Sequence, residues 1–217
     1  MNDFTPSKKT RVKRLHERAH YDRDTLYTVI DAAIMGTVGY IIDDEPYVTP
    51  TSMWREGDHL YWHGSSASRM LRTVKTGIPV CVNIFHLDGL VLARSGMHSS
   101  INYRSATLFG HAHIVEDKAA KLASLEAFVD HITPGRWPTL RPVMDQELKA
   151  TTVVGMEIDE ASAKIRVGGP SDDEEDYALD IWAGVVPVRT VIDPPIDDDR
   201  LKEGVPQPDH LTKISFG

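Results

Sequence analysis

The chain has 217 residues, 41% of them hydrophobic, with a formal net charge of −8 and a single cysteine. That length fits one large domain or two small ones, with apolar residues enough for a real core. The acidic balance argues against nucleic acid as the main partner, the lone Cys81 excludes an internal disulfide framework or a zinc ribbon, and no stretch approaches the roughly 18–20 apolar residues that span a bilayer. The first ten residues lack the apolar run of a secretory signal. Cys81 reads as a small buried hydrophobe in a strand, so the expected location is the cytoplasm.

Charge is unevenly placed. Lys8, Lys9, Arg11, Lys13, Arg14, Arg18 and Arg23 crowd the start, and acid collects at residues 172–176 and 197–199. Solvated surface explains all three runs. A sharper reading of the first is a basic arm that embraces an acidic partner subunit or draws in an anionic ligand. Residues 22–33 begin with capping types and set Leu26, Val29, Ile30 and Ala33 at helical spacing. Strands follow at 37–42 and 47–54, joined by a turn at 43–46. Pro50 makes the second an edge, bulged or interrupted strand. A turn at 56–58 leads to a strand over 59–63. A short helix is expected from Ser66 to Lys75, ended by Gly77. Two long β runs cover 79–94 and 101–115, and an amphipathic helix covers 118–132. A loop at 134–138, a helical turn or two at 145–149 and strands at 152–158 and 163–167 complete the pattern. The rest is proline-rich and acidic, with an apolar island at 181–188. Six to seven strands and three to four short helices predict a mainly β fold, a closed barrel with peripheral helices.

Residues 61–72 carry the best candidate chemistry. A strand ends, small hydroxyl residues follow, and a helix opens with Arg69. Ser65, Ser66 and Ser68 can donate hydrogen bonds, and Arg69 and Arg72 supply fixed charge, which outlines a phosphate site. An ordinary serine cap with two exposed arginines has the same sequence. Residues 99–113 place Tyr103, Ser105, Thr107 and Phe109 on one strand face and Asn102, Arg104 and Ala106 on the other. His111 and His113 share a strand face, but no cysteine or helical histidine pair accompanies them, and no metal site is expected. No nucleophile elbow, Walker loop or Rossmann fingerprint is present.

Several segments in order resemble a known family. They are the Val-Thr-Pro-Thr strand at 48–51, Leu-Tyr-Trp-His-Gly-Ser at 60–65, the Ser-Arg pair at 68–69, Pro-Val-Cys-Val at 79–82, and Asn-Tyr-Arg-Ser-Ala-Thr-Leu-Phe-Gly-His-Ala at 102–112. Further on come Pro-Gly-Arg-Trp at 134–137, Glu-Leu-Lys-Ala-Thr at 147–151, Ala-Ser-Ala-Lys-Ile-Arg at 161–166 and Trp-Ala-Gly-Val-Val-Pro at 182–187. Together, over roughly residues 20–190, they resemble the FMN-binding split β-barrel proteins related to pyridoxamine 5′-phosphate oxidase, and within them the flavin-nucleotide-binding branch that includes nitroimidazole-resistance reductases.

The resemblance implies a homodimer with two FMN sites at the subunit interface. By position, Ser68 and Arg69 fall at the phosphate, with Ser65 and Arg72 in the same loop. Thr49, Pro50, Thr51 and Ser52 fall along the isoalloxazine ring, and His63 and Gly64 at the turn beside it. Asn83 falls on the neighbouring strand, and Tyr103, Arg104 and Ser105 match the family's Tyr-Arg-Ser stretch. Lys164, Arg166 and Trp182 would reach the site from the other subunit. The vitamin-making oxidase has a C-terminal Arg-x-His that this chain lacks, so pyridoxamine phosphate is not the expected substrate. The resemblance divides the chain into a basic arm at 1–20, the barrel domain at 21–190 and an acidic tail at 191–217. It implies an oxidoreductase that passes electrons from a reduced nicotinamide to a small organic acceptor. Two alternatives stay open: a flavin carrier or sensor without turnover, and a haem-binding barrel with His63, His86, His98, His111 or His113 as axial ligand.

Overall fold

The structure, a computed structural model, describes residues 2–74 and 77–216; Lys75, the expected end of one helix, lies outside them. In chain order the elements are β1 (Ala19–His20), α1 (Arg23–Asp31), β2 (Met35–Ile42), β3 (Glu45–Glu56), β4 (His59–Ser65), α2 (Arg69–Val74), β5 (Pro79–Leu92), β6 (Ser100–Ile114), α3 (Lys118–Ile132), α4 (Asp145–Ala150), β7 (Thr151–Glu157), β8 (Glu160–Arg166) and β9 (Gly184–Pro187). Asp22 caps α1 by accepting from Thr25 N at 2.8 Å, which satisfies one of the amides a helix start leaves open. The helix buries Leu26, Val29 and Ile30. Ile42 pairs with Glu45 across a two-residue turn. Asp43 and Asp44 both take positive φ there, 50° and 62°, the conformation whose twist suits a tight hairpin.

All pairings are antiparallel, and six strands close a ring in the order β2, β3, β4, β7, β6, β5. β5 pairs with both β2 and β6, which seals it. β8 and β1 extend the sheet beyond β6, and β9 extends it beyond β5. β6 holds β5 along one edge and divides the other, giving residues 103–109 to β8 and 112–114 to β7. Gly110 lies at the handover. A Cβ there would stand 2.2 Å from Glu157 O, so only glycine lets the strands pass that closely. Alternate residues of each strand fill the barrel, among them Val38, Met53, Leu60, Trp62, Val82, Ile84, Leu108 and Met156, all essentially inaccessible.

The chain's basic start packs on this barrel, and the first acidic run ties down one of its loops. Phe4 is buried and its amide donates to Tyr21 O at 3.0 Å. Lys9 pairs with Glu160 at 3.0 Å, and Lys164 Nζ donates to Arg14 O at 3.3 Å. Asp172, from the acidic run, accepts from the amides of Arg94 and Ser95 and from the Arg94 guanidinium, at 2.9, 3.4 and 3.1 Å. It is a loop clamp, where the sequence suggested solvated surface.

Candidate cofactor site

β3 changes partner midway. Through Ser52 it pairs with β2, and from Met53 onward with β4. β4 in turn leaves β3 after Trp62, and His63, Gly64 and Ser65 pair only with β7. The two strands therefore diverge, and α2 bridges the opening. Met70, Leu71 and Val74 are its buried face. A Cβ on Gly64 would lie 3.0 Å from Leu71 Cδ1, so the bare glycine lets α2 seat against β4. On the other side the Arg69 guanidinium lies over the Tyr47 ring at 4.8 Å, a cation–π contact. Tyr47 stacks on Tyr40 at 5.7 Å, and the Tyr40 hydroxyl shares a 3.0 Å hydrogen bond with Thr49 Oγ1. Pro50 sits where β3 has β2 as its only neighbour, the edge position its missing N–H requires.

The loop before α2 spends its own amides. Ser66 N donates to Ala150 O at 3.0 Å, Ala67 N to Ser65 Oγ at 3.2 Å and Ser68 N to Ser65 O at 2.8 Å. α2 has six residues, too few for a strong helix dipole. An anion here would depend on the exposed guanidiniums of Arg69 and Arg72 and on the serine hydroxyls, with little help from the helix start.

His63 stands at the fork, on the outer side of β4. The Phe128 ring of α3 meets it edge-on at 4.4 Å, with Trp54 at 5.8 Å. Its Nδ1 is shielded from solvent and has no hydrogen-bond partner among the described residues. Burial pushes its pKa down, which favours the neutral imidazole. A neutral ring with an unpaired nitrogen can accept a hydrogen bond or ligate a metal centre.

Beyond the fork, the outward faces of β3, β2, β5 and β6 make a bare shelf. The register sets Thr37 beside both Pro50 and Asn83, Asn83 beside Thr107, and Met35 beside Ser52. Asn83 Nδ2 donates to Thr107 Oγ1 at 3.2 Å, and Ser105 Oγ donates to Lys164 O at 3.1 Å. Apolar side chains stand open on this face: Val48 is 70% exposed, Phe85 68% and Ile41 62%. A cavity of about 420 Å³ opens at its edge, lined by Gly39, Tyr47, Val48, Cys81 and Phe109. Tyr47 thus joins the Arg69 loop to the shelf. Burial raises the Cys81 pKa, keeping it a thiol.

Pro50, Ser52, Asn83, Tyr103, Ser105 and Lys164 belong to the shelf face, while Thr49 and Thr51 share the inward side of β3 with Met53. The remaining sequence-derived residues are engaged elsewhere. Arg104 makes a fork-like pair with Asp88, at 2.9 and 2.8 Å. Arg166 is buried and donates to Asn102 Oδ1, Gly168 O and Gly169 O, so its charge holds a loop. Trp182 is 66% exposed and lies against Gly184. His86 Nε2 donates to Val29 O at 2.9 Å, His111 faces Asp159 at 3.4 Å, His98 faces Asp173 at 3.8 Å with its Nδ1 shielded and unpaired among the described residues, and His113 lies beside Gly155 of β7. Among the described residues no group of three or more His, Cys, Asp or Glu could hold a metal ion. Sequence reasoning missed Thr37, Gly39, Tyr47 and Phe128. Alternation along β2 and β3 carried a signal for the first three; nothing in the sequence tied Phe128 to His63.

A split ring of strands with a basic loop at the fork has known counterparts. The sequence profile described as pyridoxamine 5′-phosphate oxidase matches residues 22–165. The chain belongs to that family. It shares the flavin-binding split-barrel fold of its members. Among solved structures, the flavocytochrome Anf3 from Azotobacter vinelandii is 45% identical with a TM-score of 0.93, over 99% of this chain and 100% of that one. The FAD and haem binding protein from Mycobacterium smegmatis is 36% identical with a TM-score of 0.88, over 92% and 98%. A protein named for a proposed role in 5-nitroimidazole antibiotic resistance, from Bacteroides thetaiotaomicron, is 22% identical with a TM-score of 0.58, over 68% and 86%, a likeness of fold. No curated protein sequence matches the chain. No helix among the described residues is long and apolar enough to cross a membrane.

Proposed function

We propose that this chain is a flavoprotein that also carries haem and passes electrons between the two. The observation that carries the reading is the 45% identity, along the full length of both chains, to a protein named as a flavocytochrome. The relative named for FAD and haem supports it separately, and supports FAD over the FMN that the sequence suggested. Flavin and haem supply the one-electron and hydride chemistry when bound. The protein's own residues bind, orient and tune.

On this reading Arg69 and Arg72, with the hydroxyls of Ser66 and Ser68, hold a flavin phosphate. The shelf of Pro50, Ser52, Thr37, Asn83 and Ser105 lies under the flat ring. His63 is the favoured haem ligand: its Nδ1 is shielded and unpaired and it stands at the fork, while His86 and His111 each face a partner, His98, whose Nδ1 is also unpaired, has Asp173 at its other nitrogen, and His113 lies against Gly155 on the far side of β7. A second copy of the chain covers the bare shelf. Electrons enter from a reduced nicotinamide and leave to a small acceptor, as the sequence suggested.

The absorption spectrum of the purified protein tests the core of this. Flavin bands with a Soret band are expected, together with FAD on extraction. His63→Ala is expected to lose the Soret band and keep the flavin. A protein that is colourless and gains no flavin absorbance on titration would sink the reading. A bound flavin that a reduced nicotinamide cannot bleach would favour the carrier or sensor alternative.

A further inference from the structure

A second cavity, of about 460 Å³, opens at the far end of β5, within the size range of small-molecule sites. Phe85 and Leu87 of β5, Arg104 of β6, and Val188, Arg189 and Thr190 after β9 wall it. Its floor is rigid. Val188 N donates to Asp88 O at 3.0 Å, and Asp88 takes two of the five donors of Arg104. That pair cancels its own charge. Arg189 has no ion pair or hydrogen bond among the described residues, so the cavity carries one surplus positive charge in a chain whose net charge is −8. One surplus charge beside a hydroxyl suits a monoanionic carboxylate better than a phosphate dianion. The Phe85 and Leu87 side chains offer an apolar wall, and Phe85, in register with Ser105, connects the cavity to the shelf.

We infer that this cavity takes the carboxylate of a flat, largely apolar ligand, gripped by Arg189 and Thr190, with Phe85 and Leu87 against the ligand's face. Two sources share that chemistry: a haem propionate, which rests on the function proposed above, and a free aromatic acid, which does not.

The test compares the wild-type chain with Arg189→Ala and Arg189→Lys. Each protein is saturated with haemin or haemin dimethyl ester, and porphyrin loss to an excess of scavenger is followed at the Soret band. Binding of 2-naphthoate is measured by calorimetry. For a propionate, Arg189→Ala speeds haemin loss about tenfold or more, and the ester, which has no carboxylate, is unaffected. For a free acid, 2-naphthoate binds the wild type and weakens by about the same factor in Arg189→Ala. In either case Arg189→Lys falls between, since it keeps the charge and loses the fork. If neither haemin loss nor naphthoate binding responds to Arg189→Ala, the inference is overturned. A protein that retains flavin and haem while Arg189→Ala changes nothing loses this inference alone. A protein that binds neither cofactor loses the proposed function, and the naphthoate measurement alone then decides the inference.

Discussion

The barrel has two outer walls built by the same strands, and they are finished differently. On one, Trp54 of β3 is covered by the protein's own helix, with Phe128 of α3 at 5.0 Å and the indole Nε1 donating to Glu56 at 3.0 Å. On the other, Val48 of the same strand stands 70% exposed. Six residues along one strand, on one face, separate a closed surface from an open one. Apolar side chains left bare in a patch mark a surface meant to be covered by something. The contrast says that α3 completes the fold and that the shelf waits for a ligand or a partner. His63 and Ser52 lie at the seam between the walls.

Phe128→Ala should cause the largest loss of fold stability, about 2 kcal/mol or more, because it uncovers Trp54 and His63 together. Urea unfolding measures it, and an unchanged midpoint would mean that α3 merely rests on the barrel. Arg69→Ala should leave folding nearly untouched and weaken flavin binding by about 1.5–3 kcal/mol, or roughly one to two decades. Flavin titration followed by fluorescence reports it; undiminished affinity would make Arg69 only a cover for Tyr47. Val48→Asp should change stability by about 0.5 kcal/mol or less while converting a dimer to a monomer in sedimentation. A dimer that survives the buried charge would assign the bare wall to something other than a second copy.

The smallest effect is in pH. His63 has its folded pKa pushed below the usual 6.5 by burial. Below about 6.5 the unfolded chain then binds a proton that the folded chain refuses, so stability falls as pH drops through that window. His63→Gln should flatten that slope in urea titrations run at a series of pH values. An identical slope in the variant would show that another group titrates.

Much of the barrel was legible in the residues. The helical spacing of residues 118–132 gives the bounds of α3 as observed, although the one residue it buries is Ser124 and Leu122 of the expected apolar face is exposed, and the long β runs correspond to β5 and β6, because alternation is a local signal. β1 and β9 were not legible, since strands of two and four residues carry no period and exist only through their partners. The fork between β3 and β4 escaped for a related reason: a change of partner is a fact of register, which single-chain alternation does not encode. The arginines divide in the same way. Arg69, at the start of α2, stays exposed with the Tyr47 ring against it. Arg104 and Arg166 looked equally free, but Asp88 and Asn102 engage them through strand pairings that only the folded sheet creates.

Gly110 gives β6 its double allegiance, and with it a mechanical property. One unbroken backbone serves both the bare shelf, through Ser105 and Thr107, and the closed ring, through Ala112 and Ile114. The two halves therefore share a spine rather than a hinge. A displacement of the shelf strand reaches the ring along one backbone, without crossing a loop.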